Sequence, residues 1–381
     1  MLELPPLSLY IHIPWCVKKC PYCDFNSHEA SQSLPEAEYV NALISDFEND
    51  WSRIEPRQIH SIFIGGGTPS LFSANSFAVL LKNIRTISGY AEDIEITLEA
   101  NPGTAEAEKF RAFREIGINR LSIGIQSFED QQLKNLGRIH SSDESKQSIE
   151  IALQSGFDDF NLDLMHGLPG QTTEAALADI KTALSYRPTH LSWYELTIEP
   201  NTVFYSKPPS LPDDSLTAEL QSNGRAFLDQ SNYKQYEVSA YAKENRQSQH
   251  NINYWSFGDY IGIGAGAHGK LSDQKSNAIF RTRKHKQPQH YLRSELSRVA
   301  EILEVIEADR PLEFLLNALR LRCGFRQAEF EQRTGVPFST IAKKVESLSN
   351  SGMLALDKTD SRVRATDKGY QLLNSVLVEF L

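Results

Sequence analysis

A chain of 381 residues with 40% apolar and 23% charged side chains has material for a large core and a smaller appendage, which excludes a disordered or fibrous protein. A formal net charge of -10 argues against a nucleic-acid partner, since gripping phosphates needs a broad cationic footprint. The start MLELPPLSLYIHIPWC has neither a basic leader nor a long apolar run, and no stretch of about 18 apolar residues follows, so a cytoplasmic location is expected, with peripheral membrane association as an extension.

The first half alternates strand and helix patterns. SLYIHI from Ser8 predicts a strand, and Val40, Leu43, Ile44, Phe47 and Trp51 form one face of a helix. SIFI from Ser61 is the second strand, followed by a helix carrying Phe77, Leu80, Leu81 and Ile84 and closed by Gly89. IEITLEA from Ile94, RLSIGI from Arg120, FNLDL from Phe160 and HLSWYEL from His190 continue the series. Strict alternation implies parallel strands with right-handed crossovers. Tyr10 and the cysteine loop, GGGTP, Glu99, Gln126, Asp163 and Tyr194 all fall in or just after a strand. That placement gathers polar chemistry at one mouth and predicts an α/β fold, a partial six-stranded TIM-like barrel.

SKPPSLPDD, from Ser206 to Asp214, marks a boundary. The expected domains are a barrel core at 1–205, an extension at 206–305 and a small C-terminal winged-helix-like domain at 306–381. Within the extension, Lys270, Lys275, Arg281, Arg283, Lys284, Lys286 and His290 form a basic segment, expected as a solvated loop and a candidate for receiving anionic groups. GIGAGAHG, from Gly262 to Gly269, is expected as a close-packed turn.

Three of the four cysteines, Cys16, Cys20 and Cys23, stand on one short loop; Cys323 is expected as a buried core thiol. Three thiolates at this spacing leave one corner of a cubane open, whereas an electron-transfer cluster uses four. A structural zinc site is the alternative, with His12 or His28 as a fourth ligand. GGGTP lacks the Lys-Ser/Thr of a phosphate loop. Its bare backbone at Gly66 and Gly67, with the Thr68 hydroxyl, suits a ligand ammonium group, the alternative being a plain tight turn.

YIHIPWCVKKCPYC resembles the signature of the radical S-adenosylmethionine (SAM) superfamily. The resemblance implies a 4Fe-4S cluster on Cys16, Cys20 and Cys23 that cleaves SAM to a 5'-deoxyadenosyl radical, with Tyr22 shielding the cluster and touching the adenine. Glu99, Gln126, Arg138 and Asp163 stand in the order seen in the coproporphyrinogen dehydrogenase branch. By that likeness Arg138 pairs with the SAM carboxylate, the other three take the ribose hydroxyls and amine, and Tyr10 lies near the cluster and methionyl end.

Within the branch, porphyrinogen-oxidising members carry a further cysteine where this chain has Phe25, and a longer N-terminal extension. CDF at Cys23 to Phe25 and HNINYW at His250 to Trp255 instead resemble the HemW haem chaperones. That resemblance implies binding of haem and its delivery to haem proteins, among them membrane-bound respiratory enzymes, with His250 as a haem ligand, His268 and His166 as substitutes, and a homodimer as a further expectation. The haem site is expected to be distinct from the SAM pocket. The alternative activity is oxygen-independent decarboxylation of coproporphyrinogen III to protoporphyrinogen IX.

Overall fold

The computed structural model describes residues 2–30, 33–91, 93–103, 109–293, 297–357 and 359–381. The six predicted strands form as β1 (Leu7–Ile13), β2 (Ile59–Gly66), β3 (Glu95–Ala100), β4 (Arg120–Gln126), β5 (Phe160–His166) and β6 (His190–Glu195). Each lies parallel to the next in chain order. Helices between them cover the outer face. Helix Glu36–Trp51 buries Tyr39, Val40, Leu43 and Phe47, and helix Ala74–Ser88 buries Phe77, Leu80, Leu81 and Ile84 before Gly89 ends it in the left-handed conformation. In β1, Leu7, Leu9, Ile11 and Ile13 are fully buried, each contributing roughly 1.5–3 kcal/mol by removal from water.

The sheet does not stop at six. Short strands β7 (Lys234–Gln235) and β8 (Ala240–Ala242) extend it antiparallel beyond β6, while β9 (Asp259–Ile263) lies parallel to β1 on its other side. From β9 the antiparallel strands β10 (His268–Asp273), β11 (Ala278–Lys284) and β12 (Val299–Glu304) continue outward. The result is one twelve-stranded sheet, ordered β12-β11-β10-β9-β1-β2-β3-β4-β5-β6-β8-β7, whose two ends are not joined. A seventh parallel strand therefore flanks the predicted six, and the chain from 234 to 304 completes both margins of the same sheet.

Two expectations need correction. The basic segment is not a solvated loop. Lys270 and Lys284 are buried in β10 and β11, where Lys270 pairs with Asp259 at 2.8 Å and Lys284 with Asp46 at 2.6 Å and Asp50 at 2.7 Å. Arg281 and Arg283 pair with Glu313 and Glu301. Strand alternation turns half of these cations inward, and burial then demands a carboxylate for each. Cys323, expected in a core, is exposed in the turn after helix Arg310–Ala318.

The C-terminal unit has helices Arg310–Ala318, Gln327–Thr334 and Ser339–Asn350, then a hairpin of Leu354–Asp357 with Arg362–Ala365, to which Phe325–Arg326 adds a third strand. Its core of Phe314, Phe330, Ile341 and Val345 continues into Phe257 and Ile279 of the barrel. No helix among the described residues is long and apolar enough to cross a membrane.

Candidate functional site: adjoining hollows at the barrel mouth

The cysteine loop leaves β1 and is fastened on several sides. Residues Trp15–Cys16 bridge to His28–Glu29, and the Cys23 N–H donates to Cys20 O at 3.1 Å. Asn26 donates to the carbonyls of Ala265 at 2.8 Å and Lys286 at 2.9 Å, tying the loop to the segments that follow β9 and β11. The GGGTP turn docks beneath it: Gly67 N–H donates to Ile13 O at 2.8 Å and Thr68 N–H to Trp15 O at 2.7 Å. Gly66 sits at φ 116°, and a Cβ there would stand 2.5 Å from the His12 ring, so only glycine lets turn and loop meet this closely.

Cys16, Cys20 and Cys23 line a hollow of about 470 Å³ together with Tyr22, Gly66, Gly67, Thr68, Glu99, Gln126, Arg138 and Asp163. All but one of the residues assigned to cluster and SAM are thus brought together. Arg138 Nη1 lies 3.5 Å from Cys20 Sγ, and its Nη2 donates to Asn101 Oδ1 at 2.6 Å and to Gly124 O at 2.8 Å. Burial works against the Arg138 charge, but the neighbouring Tyr22 hydroxyl and Cys20 thiol push its pKa up. Burial raises the pKa of Cys16, opposed by the Thr68 hydroxyl, and likewise that of Cys23.

Among the described residues no three His, Cys, Asp or Glu side chains converge closely enough to enclose a single metal ion. His12 is committed elsewhere, its Nε2 donating to Asn26 O at 2.8 Å and its Nδ1 accepting from Tyr10 at 2.9 Å. Three cysteines lining one hollow, with a guanidinium beside Cys20, fit the thiolate ligation and negative charge of a cubane cluster.

Glu99 is partly buried and lines both hollows of the mouth. Its Oε2 accepts from Gly66 N–H at 2.9 Å, yet burial, reinforced by Asp163, lifts its pKa from 4.5 to about 7. Asp163 is also pushed up by burial, against hydrogen bonds from Asn161 and Ser122. Gln126, in the left-handed region at φ 70°, accepts from the Tyr194 hydroxyl at 2.6 Å. Backbone strain at a non-glycine residue is characteristic of functional sites. Two residues not foreseen belong here: Asn101, which joins Arg138 to Thr68 Oγ1 at 2.8 Å, and Arg320. Asn101 was findable as the polar residue directly after β3; Arg320 carries no local signal.

Tyr10 departs from expectation. It lines a second, larger hollow of about 830 Å³, with His12, Phe63, His250, Tyr254, Trp255, Tyr260 and His268. The two hollows share Asp24, Phe25, Ser27, Gly66, Glu99, Asn251 and Trp255, so the His250 site adjoins the cysteine hollow instead of standing apart. The reason lies in helix Gln249–Trp255, which enters the barrel at the starts of its strands. Glu95, the first residue of β3, accepts from Gln249 N–H at 3.0 Å and His250 N–H at 3.1 Å, and Asn253 donates to Ser8 Oγ at 2.9 Å. His250 Nδ1 meets Ser61 Oγ at 3.2 Å, its ring faces Phe63 at 5.1 Å, and burial lowers its pKa to about 3, so the imidazole is neutral. His268 lines the same hollow, whereas His166 is packed on Trp193 at 4.2 Å and lines neither.

Replacing Cys16, Cys20 or Cys23 with Ala should abolish the 4Fe-4S absorption of anaerobically reconstituted protein, while Cys323→Ala keeps it. Retention in a Cys20 variant, with loss in the Cys323 variant, would contradict the ligand set. Glu99 provides a pH test. With its folded pKa raised, its contribution to stability is complete below about 4.5 and is lost as pH rises through about 7. In ligand-free protein, Glu99→Gln should therefore gain on wild type between pH 4 and pH 8 by on the order of 2 kcal/mol in urea unfolding. A difference that does not change with pH would show that folding leaves the Glu99 pKa unshifted.

The radical SAM superfamily pattern matches residues 10–183, and the HemN C-terminal domain pattern matches residues 307–372. The Heme chaperone HemW of Haemophilus influenzae is 49% identical, covering 100% of this chain and 99% of its own length; that of Escherichia coli is 47% identical, covering 100% of both. That of Bacillus subtilis is 35% identical over 98% of this chain and 99% of its own. Among solved structures, coproporphyrinogen III oxidase (HemN) from Escherichia coli superposes with a TM-score of 0.82 at 22% identity, covering 99% of this chain and 90% of that one, a likeness of fold. With full-length identity at this level and the three cysteines gathered at the barrel mouth, the chain belongs to the HemW family of the radical SAM superfamily.

Proposed function

We propose that this chain is a haem chaperone that holds haem in the larger hollow and passes it to haem proteins, with a 4Fe-4S cluster and SAM in the adjoining one. The observation that carries the reading is the pair of hollows with a common wall. One is lined by three cysteines and Arg138 together with acids that include Glu99 and Asp163; the other, about 830 Å³, has histidines and aromatic side chains in its walls and is of a size for a macrocycle. Relatives named Heme chaperone HemW, similar over their whole length, support it.

Cys16, Cys20 and Cys23 would hold the cluster, whose contribution when bound is the electron for reductive SAM cleavage. Arg138 supplies the fork for the SAM carboxylate, Gly66 and Gly67 the close backbone approach, and Glu99 and Asp163 the acceptors for amine and ribose hydroxyls. In the other hollow a neutral His250 offers Nε2 to the haem iron, since Nδ1 is turned to Ser61, and Tyr254 and Tyr260, 4.8 Å apart, cover ring surface. Phe25 lies between the hollows, exposed, where a porphyrinogen-oxidising relative would carry a cysteine. Recipient haem proteins, membrane-bound respiratory enzymes among them, association with the membrane surface and a homodimer complete the proposal.

Haemin titration followed at the Soret band tests it. Wild type should bind near one haem per chain, and His250→Ala should lose or shift the band while keeping cluster content and SAM affinity. An unchanged spectrum and affinity in His250→Ala would move the iron ligand to another residue of the hollow, His268 first.

A further inference from the structure

Arg320 belongs to the C-terminal unit, just past helix Arg310–Ala318, yet it lines the smaller hollow beside Glu237, Asn251 and Trp255. Its guanidinium lies over the Trp255 ring, 4.2 Å from the centroid. The backbone around it is fixed. Arg322 N–H donates to Tyr236 O at 2.9 Å, the Tyr370 hydroxyl donates to Arg320 O at 2.5 Å, and Leu321 packs in one cluster with Tyr236, Ile252 and Trp255. Cation and ring are thus presented as one preformed surface, joined to the helix that carries His250.

That surface is incompletely satisfied. Glu237 Oε2 accepts from Arg320 Nη2 at 3.3 Å, and the Arg320 side chain remains 30% exposed at the wall of the hollow. A guanidinium is rich in donors, so one whose bond to Glu237 is long and whose side chain is partly exposed has donors left for an acceptor from outside the chain. A planar guanidinium suits a carboxylate, and stacking on an aromatic face holds the fork in position. Lys19 Nζ already donates to the carbonyl of Phe25 at 3.0 Å.

Resting on the haem reading, we propose that Arg320 and Trp255 form a carboxylate subsite for one porphyrin propionate, by which the C-terminal unit takes part in holding the cargo. Trp255 lines both hollows and lies five residues after His250 on one helix, so a macrocycle ligated at His250 and a carboxylate at Arg320 share a single support.

Haemin and haemin dimethyl ester, which lacks the propionate charges, are titrated into wild type, Arg320→Ala and the double variant Arg320→Ala with Glu237→Gln. The double variant removes the carboxylate that Arg320→Ala would leave unpaired. Haemin affinity should fall about tenfold to a hundredfold in both variants, as for loss of a charge-assisted hydrogen bond. The ester should bind all three proteins alike. Equal losses for haemin and ester would reduce Arg320 to a packing residue, and a loss confined to SAM would give the subsite to SAM; either overturns the proposal. Wild-type protein that takes up neither porphyrin would overturn the haem reading itself.

Discussion

Two backbone hydrogen bonds, from Gly67 to Ile13 and from Thr68 to Trp15, clamp the turn after β2 against the start of the cysteine loop. Everything at the mouth depends on that contact, because three thiolates can serve one cluster only if their loop has a single conformation. The clamp requires a backbone without side chains at Gly66 and Gly67, where a Cβ would strike His12 or the Trp15 carbonyl. The same contact places Gly66 N–H against Glu99, so that the end of β3 is set by the turn as well. Loop, turn and acid are in this sense one unit, and the parallel sheet beneath supplies its rigidity.

Burial sets the electrostatics. Glu99 and Asp163, partly buried at the hollow, are driven toward their neutral forms, while Arg138, beside Cys20 and Tyr22, keeps its charge. The smaller hollow of the free protein is therefore less acidic than its composition implies, which favours a ligand bringing its own carboxylate and ammonium. The larger hollow is different in kind. Its histidines His12 and His250 are held neutral by burial, and Tyr10, Phe63, Tyr254, Trp255 and Tyr260 give its walls aromatic surface.

Much of this was legible in the sequence, for reasons that can be named. The six strands showed because a sheet covered by helices buries both faces of each strand, leaving continuous apolar runs such as RLSIGI. The SAM-side residues showed because a parallel sheet sends the end of every strand to the same mouth. What stayed hidden depends on distant chain segments. Strand β9, DYIGI, is short and runs into the glycine-rich GIGAGAHG, and its pairing with β1 makes it a strand. Lys270 and Lys284 looked solvated because their counter-charges Asp259, Asp46 and Asp50 come from elsewhere in the chain. His250 looked remote from the SAM residues because its helix follows the strands in sequence, although Glu95, Ser8 and Ser61 draw it inside the barrel. Cys323 was misplaced because a lone cysteine has no pattern from which exposure can be judged.

The central claim is that the mouth holds a finished macrocycle next to the cluster and does not decarboxylate its precursor. Anaerobic incubation of fully reconstituted protein with coproporphyrinogen III, SAM and a low-potential reductant, with the products separated after many equivalents of substrate, tests it most directly. The account predicts unaltered coproporphyrinogen. Protoporphyrinogen formed at catalytic turnover would contradict it.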